Sequence, residues 1–416
     1  MLPVALCPPV AQTGWSRVTT TTGLPHRSVA EPRGGTVPTA RSVLIAHPSA
    51  DLYGSDLQLL ETISAVVEAG WSAHVVLPAR GPLVPLLQER GASVSCRSFP
   101  VLRKSMINLP GLFGLVLGVI RSLPGMLAEM RRVGADVVLV NTVTIPWWLL
   151  AGRLTRRLTV GHVHEAEDEG HRIVLTALAL PNLLAHRLVV NSQASAATLT
   201  GSVSRLSHRI TVVHNGVPGP AEPPLPLHVR SVADPATLVV VARLSPRKGV
   251  DVALEAVAAL RTQGRDVRLV VCGSVFPGYE WFEDALRVRA AQPDLRGAVE
   301  FRGYVSPTWP VLAEADVVVV PSRVEPFGNT AVEALLAERP LVASNTQGLA
   351  EIVVDGSNAM LSAPGDAKAL AAQVALILDD PALANRLASA GRDDALSRFS
   401  PERYRSSMRG LLNDAP

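Results

Sequence analysis

Cysteine is scarce in this chain: three in 416 residues, Cys7, Cys96 and Cys272, scattered and with no CxxC pair. That argues against a disulfide framework or a thiolate zinc site and fits a reducing compartment, so a cytoplasmic location is expected. Excess charge is equally slight. A net charge of +3 and a pI near 9.0 are too mild for a nucleic-acid partner, and suit an anionic small ligand or an anionic membrane surface. A long apolar run is also missing. The longest, Ser105–Ile120, is interrupted by Pro110 and three glycines, and falls short of the roughly 18–20 residues that a membrane span needs. It reads as a buried or partly buried helix or, with Arg103, Lys104 and Arg121 at its flanks, as an element in peripheral contact with the inner face of a membrane. Met1–Val10 lacks a basic start and carries Pro3, Pro8 and Pro9, which argues against a signal peptide.

What is present is the composition of a globular protein, 48% hydrophobic and 18% charged, in a chain long enough for two ordinary domains. The first 40 residues are rich in Thr, Pro, Gly and Arg without any period, and read as a disordered extension. From residue 42 short Val/Ile/Leu runs alternate with helical patterns. "SVLIAHP", "SAHVVLP", "ASVSCRSFP", "ADVVLVNT", "LTVGHVHE", "RLVVNS" and "RITVVHNGV" are expected strands. A Pro-rich stretch at 218–235 is the linker candidate. Beyond it come "ATLVVVARL", "DVRLVVCGS", "AVEFRGYV", "ADVVVVPS" and "RPLVASNT". Near-continuous apolar strands are buried on both faces, hence parallel. The fold class is therefore α/β, with two Rossmann-like doubly wound sheets facing across a cleft, where ligands bind at the carboxyl ends of the strands. A last helix, "SPERYRSSMRGLLND", is free to pack back on either half.

The unusual residues stand just after strands. "VARLSPRKGV" puts Arg243 and Lys248 in a turn before a helix expected near Val250, an arrangement suited to a diphosphate, although a solvated basic loop would look the same. "RVEPFGNTAVE" puts Glu325 and Glu333 around a glycine-bearing helix start. Thr330 and Glu333 have capping-box spacing, with Thr330 as cap. That does not explain Glu325. Amides of Gly328, Asn329 and Thr330 could donate to phosphate oxygens, whereas carboxylates repel phosphate and accept from hydroxyls. Phosphates on amides and cations, with hydroxyls on acids, describe a sugar nucleotide. "YGSDLQ" gives Gly54 and Ser55 at another helix start. "GHVHEAED" places His162, His164 and Glu165 after a strand; lacking a further ligand set, one histidine facing the cleft is expected rather than zinc. His214-Asn215-Gly216 has a turn signature.

These motifs resemble the family-four retaining glycosyltransferases of the GT-B fold. The carriers are the E-x7-E motif, Glu325 to Glu333; "ARLSPRKG", with Ala242 where glycine is usual; "NGV"; "VCGSVFPGYEWFEDAL"; "EFRGYV"; and "EIVVDGSNAML". "YGSD" and "HVHE" match more loosely, and the resemblance covers about residues 42–410. It departs at "TQGLAEIV", where Gln347-Gly348 stands for a double glycine, and at "YGSD", with one glycine for two. The resemblance implies an acceptor domain over 41–220, joined by the helix of about 400–416, and a nucleotide-sugar donor domain over 221–399. It implies that Arg243 and Lys248 hold the diphosphate, Glu333 the ribose hydroxyls and Glu325 the transferred sugar. Gly328, Asn329 and Thr330 would hold phosphate and sugar through their amides, His164 would sit beside the sugar, and Gly54 would admit the first loop to the diphosphate. It implies no cofactor and no metal. The expected reaction is transfer of a hexosyl group to a glycan, lipid-linked or small hydroxyl acceptor in cell-envelope or exopolysaccharide synthesis. Trp147-Trp148 and the apolar 103–121 stretch favour such an acceptor. The rivals are a nucleotide-sugar epimerase of the same fold and a silent nucleotide-sugar-binding protein.

Overall fold

The computed structural model describes residues 41–413, apart from 53, 103–105, 107–108, 166–171, 228–233 and 277. The N-terminal extension, with its expected disorder, lies outside the described residues, as do Arg103 and Lys104. Seven strands, β1 (Ser42–Ala46), β2 (Ser72–Leu77), β3 (Ser93–Cys96), β4 (Val137–Val140), β5 (Leu158–Val163), β6 (Arg187–Val190) and β7 (Ile210–Val212), form one parallel sheet in the order β3-β2-β1-β4-β5-β6-β7. Six more, β8 (Ala236–Val241), β9 (Val267–Cys272), β10 (Val299–Gly303), β11 (Val317–Val320), β12 (Leu341–Ser344) and β13 (Met360–Ser362), form a second in the order β10-β9-β8-β11-β12-β13. Each sheet contains the doubly wound order, with its reversal beside the first strand. The apolar runs explain this: Val317–Val320 is buried residue by residue, and a strand buried on both faces needs helices on both. β13 is the strand that the alternation does not reveal, because three residues are too few to show a period. The strand expected over "RITVVHNGV" ends at Val212, and His214-Asn215-Gly216 runs on as irregular chain.

The helix Pro401–Asn413 returns to the first sheet. Tyr404, Met408 and Leu412 complete its core beside Leu59 and Ile63 of the helix Gly54–Glu68. The Tyr404 hydroxyl meets Thr62 Oγ1 at 2.6 Å, and Arg405 bridges Glu61 and Glu68 at 2.6 and 2.7 Å. Near this crossing the halves also touch directly. The Glu351 carboxylate accepts from the amides of Gln193 and Ala194, both at 2.9 Å, at the start of the helix Gln193–Ser202. His214 Nε2 lies 3.3 Å from the same group. Burial pushes the Glu351 carboxyl up, but the His214 contact and the two amides outweigh it and hold it below its ordinary value.

The apolar stretch that begins near Ser105 belongs to one helix, Leu109–Arg132, continuous through Pro124 and four glycines. The expected, partly buried helix is present, and it runs on to Arg132 where its proline and glycines suggested an interruption. Pro110 sits in the first turn, where its missing N–H costs nothing, and packing of Leu115, Met126 and Met130 against the sheet holds the rest. By length and composition alone, Pro110–Arg132 is apolar enough to cross a membrane. On the opposite face Leu112, Phe113, Val116 and Ile120 are exposed, Phe113 to 73%.

Candidate active site

Two adjoining cavities, about 450 and 360 Å3, open where the carboxyl ends of both sheets face each other. Gly54, Ser55, His164, Arg243, Lys248, Glu325 and the Gly328–Thr330 segment all line the larger one. Glu333 lines the smaller one, which shares Gly54, Arg243, Asn329 and Thr330 with its neighbour. The residues singled out along the sequence are thus gathered into one continuous cleft.

Two motif loops of the second sheet are tied to each other before they meet any ligand. The loop after β8 turns through Pro246–Lys248 into the helix Val250–Thr262. Gly249 caps that helix at φ 65°, and a Cβ there would fall 1.9 Å from the Pro321 carbonyl at the end of β11. Only glycine lets the loops approach so closely. The amide of Arg323 donates to the Arg247 carbonyl at 2.7 Å, and its guanidinium grips Asp251 at 2.8 and 2.6 Å. In the resulting frame Lys248 Nζ pairs with Glu325 Oε2 at 2.5 Å, and Ser322 Oγ donates to the same oxygen at 3.2 Å. Sequence reasoning assigned cation and acid to different parts of a ligand; the structure joins them. The Arg243 guanidinium lies 5.2 Å from the Phe276 ring centroid, a cation–π contact that holds it at the cleft.

The helix Asn329–Leu336 begins at Gly328, its cap residue, at φ 120°. No side chain caps it, and Thr330 already lies inside it. This corrects the capping-box expectation. The spacing from Thr330 to Glu333 is right, but the turn that Gly328 makes starts the helix two residues earlier. The Glu333 carboxyl instead accepts from Thr308 Oγ1 at 3.1 Å. Burial pushes that carboxyl up to about 7, the Thr308 bond offsetting only part. Gly328, Asn329 and Thr330, at the very start of this helix, line the cavity, and the leading amides of a helix are where an anion binds. Glu325 is held from behind: its amide donates to Gln347 Oε1 at 3.0 Å, and Gln347 sits at φ 39°, a conformation that favours glycine. The departure at "TQG" is therefore a backbone position of the kind glycine usually fills, occupied by a side chain that has a task.

On the opposite wall, β5 alternates. His162 lies inside the sheet, fully buried, and neither ring nitrogen has a hydrogen-bond partner among the described residues. His164, just past the strand, reaches the cleft. Burial, with His47 nearby, lowers its imidazole to about 3, so it is neutral at physiological pH. Glu165 accepts from Thr142 Oγ1 at 2.5 Å and from the His164 amide at 3.0 Å, and burial raises its carboxyl. Asn141, Thr142 and Asn191 also line this wall, and Asn215 Nδ2 donates to Asn329 Oδ1 at 2.9 Å across the cleft. Sequence reasoning passed over Asn141 and Thr142, and marked Asn191 only through "VVNS" as the end of a strand. Their signal was position, since each stands within two residues of a strand's end. Gly54 comes from the same half, and a Cβ there would lie 3.4 Å from Asn329 Nδ2. Among the described residues no group of three His, Cys, Asp or Glu side chains is placed to hold a metal ion.

Two doubly wound sheets with a polar cleft between their strand ends define a nucleotide-binding class of enzyme fold, and comparison with known proteins narrows it. The family profile of glycosyl transferases group 1 matches residues 228–394, and that of glycosyltransferase family 4 matches 54–218. A glycogen synthase of Mycobacterium tuberculosis is 38% identical over 192 residues, 46% of this chain; the match spans only 45% of that relative's length. The 2-deoxystreptamine glucosyltransferase of Streptomyces kanamyceticus is 28% identical over 82% of this chain and 94% of its own. The crystal structure of Anabaena HepE in complex with UDP and glucose superimposes with a TM-score of 0.74 at 23% identity, over 90% of this chain and 99% of that one. The chain belongs to the group 1, family 4 glycosyltransferases and has their GT-B fold.

Proposed function

We propose that this protein transfers a hexosyl group from a nucleotide diphosphate sugar to a hydroxyl acceptor, with retention of anomeric configuration. One observation carries the reading: Arg243, Lys248, Glu325 and the open helix start at Gly328–Thr330 converge with His164 on a single cavity. The diphosphate lies against Arg243, Lys248 and the helix amides. The ribose hydroxyls reach Glu333 in the adjoining cavity, and the sugar lies between Glu325 and His164. As the sugar departs, negative charge grows on the diphosphate. A fixed donor aimed at that charge contributes about 3–4 kcal/mol to the transition state. An incoming diphosphate competes for Lys248 with Glu325, so donor binding converts one ion pair into two ligand contacts. Glu325 is then free to accept from sugar hydroxyls. The acceptor attacks from the face that the nucleotide leaves, and the departing phosphate takes its proton.

The relatives' names supply context for the acceptor: glycogen, the lipopolysaccharide core and 2-deoxystreptamine occur among them. The exposed apolar face of the Leu109–Arg132 helix favours a cell-envelope or exopolysaccharide acceptor met at the inner face of a membrane. The test is a panel of nucleotide diphosphate hexoses scored by thermal shift and by released nucleotide. A stabilising donor that is slowly hydrolysed, and transferred once an acceptor is supplied, is the expected result. Loss of turnover in Glu325→Ala with nucleotide binding retained separates an enzyme from a silent binder. No stabilisation by any nucleotide would overturn the reading.

A further inference from the structure

Behind His164 runs a chain of buried polar groups, of which Asn141 alone also lines the cavity. Asp56 stands in the first turn of the helix Gly54–Glu68, His47 just past β1, and Asn141 just past β4. All three are sealed from solvent, at 1%, 0% and 1% exposure. His47 Nε2 lies 2.6 Å from Asp56 Oδ1, and Ser49 Oγ donates to the same oxygen at 2.7 Å. Asn141 Nδ2 lies 3.0 Å from His47 Nδ1, and Asn141 Oδ1 lies 3.0 Å from His164 Nε2.

Only one assignment of protons satisfies this chain with neutral imidazoles. An ionised carboxylate accepts and cannot donate, so His47 Nε2 carries the hydrogen. His47 Nδ1 must then accept, which turns the Asn141 amide nitrogen towards it. The Asn141 carbonyl is left facing His164 and accepts its Nε2–H. Nδ1 of His164 is thereby an acceptor; it is buried and has no partner among the described residues. We propose that Asp56, His47 and Asn141 are positioning residues that fix His164 as the Nε2–H tautomer, so that the ring stands at the donor cavity neutral, its one proton committed to Asn141 and none offered to the substrate as an acid. The depressed basicity of the buried ring agrees, since it keeps His164 neutral. What the tautomer is for rests on the transferase reading; the tautomer itself does not.

The test is 15N NMR of the full-length, histidine-labelled, ligand-free protein, with the His164 signals assigned by their loss in His164→Gln. The wild type is expected to show His164 as a single neutral Nε2–H form from pH 5.5 to pH 8. Asp56→Asn touches neither His164 nor the donor cavity, but it removes the carboxylate that sets the direction of the chain. It is expected to bring up a second, Nδ1–H form of His164. Turnover is expected to fall about 10–100-fold, as for loss of an outer-shell partner, while affinity for the free nucleoside diphosphate stays within about twofold of the wild type. A wild-type His164 that is protonated, or is the Nδ1–H tautomer, overturns the proposal even if no variant folds. So does an Asp56→Asn protein whose His164 remains a single Nε2–H form. Asn141→Asp, which keeps an acceptor for His164, is expected to retain the wild-type tautomer, and loss of it there also overturns the proposal. Failure of every nucleotide to bind would sink the transferase reading alone.

Discussion

Replacing Glu333 with glutamine should make the ligand-free protein more stable and its nucleotide site worse, and the first effect should depend on pH. The Glu333 carboxyl is half-buried in the cleft wall, accepts one hydrogen bond from Thr308, and has no cation paired with it among the described residues. Burial raises it from 4.5 to about 7. A group whose folded-state pKa lies above its unfolded value contributes stability that is fully present below the unfolded value and is lost as pH rises through the folded one. For Glu333 that window runs from 4.5 to about 7. The shift corresponds to at most about 3 kcal/mol, and water in an open cleft cuts this to about 1–2 kcal/mol. Glutamine keeps the shape and the Thr308 contact without the charge. Urea or thermal unfolding should therefore find Glu333→Gln level with the wild type near pH 4.5 and about 1–2 kcal/mol more stable at pH 8, a gain of a few degrees in Tm. The same substitution leaves one acceptor where the ribose hydroxyls meet two, so affinity for a nucleoside diphosphate should fall by about tenfold or more. Equal stability of the two proteins at pH 8 would refute the burial argument, and unchanged nucleotide affinity would refute the ribose role.

Two further outcomes test the walls of the site and the surface outside it. Gln347→Ala keeps the strained φ of 39° and loses the bond to the Glu325 amide, so it should cost about 1–2 kcal/mol. Gln347→Gly relieves the strain and should be about 1 kcal/mol more stable than the alanine variant, with turnover lowered in both, because Glu325 has lost its tether either way. At the surface, Phe113→Ser combined with Ile120→Ser should abolish co-sedimentation with anionic vesicles. Stability should change by less than about 1 kcal/mol, since both side chains are mostly exposed. Equal vesicle binding by the variant and the wild type would remove the membrane from the proposed acceptor chemistry.

The strands and the cleft were legible because a parallel sheet writes itself plainly. "ADVVVVPS" and "ATLVVVARL" are apolar throughout, and such a strand has one place to go, between two layers of helix. The position of the site followed from the same fact. Loops that leave the carboxyl ends of the strands share one edge, so Arg243 and Glu325, 82 residues apart, are neighbours across one cavity. Loops are also where backbone irregularity is tolerated, which is why the glycines and the cations stood out there.

Pair partners were not legible, and the reason is physical. Spacing reports neighbours along one helix or strand, whereas Lys248 with Glu325, Thr308 with Glu333 and His47 with Asn141 meet only when loops from different strands fold over one another. Glu333 shows how such an arrangement can mislead. A threonine three residues before a glutamate has the same spacing whether the pair caps a helix or merely lies one turn apart inside it. What decides is where the helix starts, and that is set by Gly328. Gly328 stands at φ 120°, a conformation that side chains rarely adopt, so glycine is what permits the turn that opens the helix two residues early. The helix then carries Glu333 round to Thr308, away from its own N-terminus, and leaves the first amides uncapped. A cap would satisfy those amides within the protein; without one they remain available to an anion. The same glycine therefore both invalidates the local reading of Glu333 and creates the opening that the donor site needs.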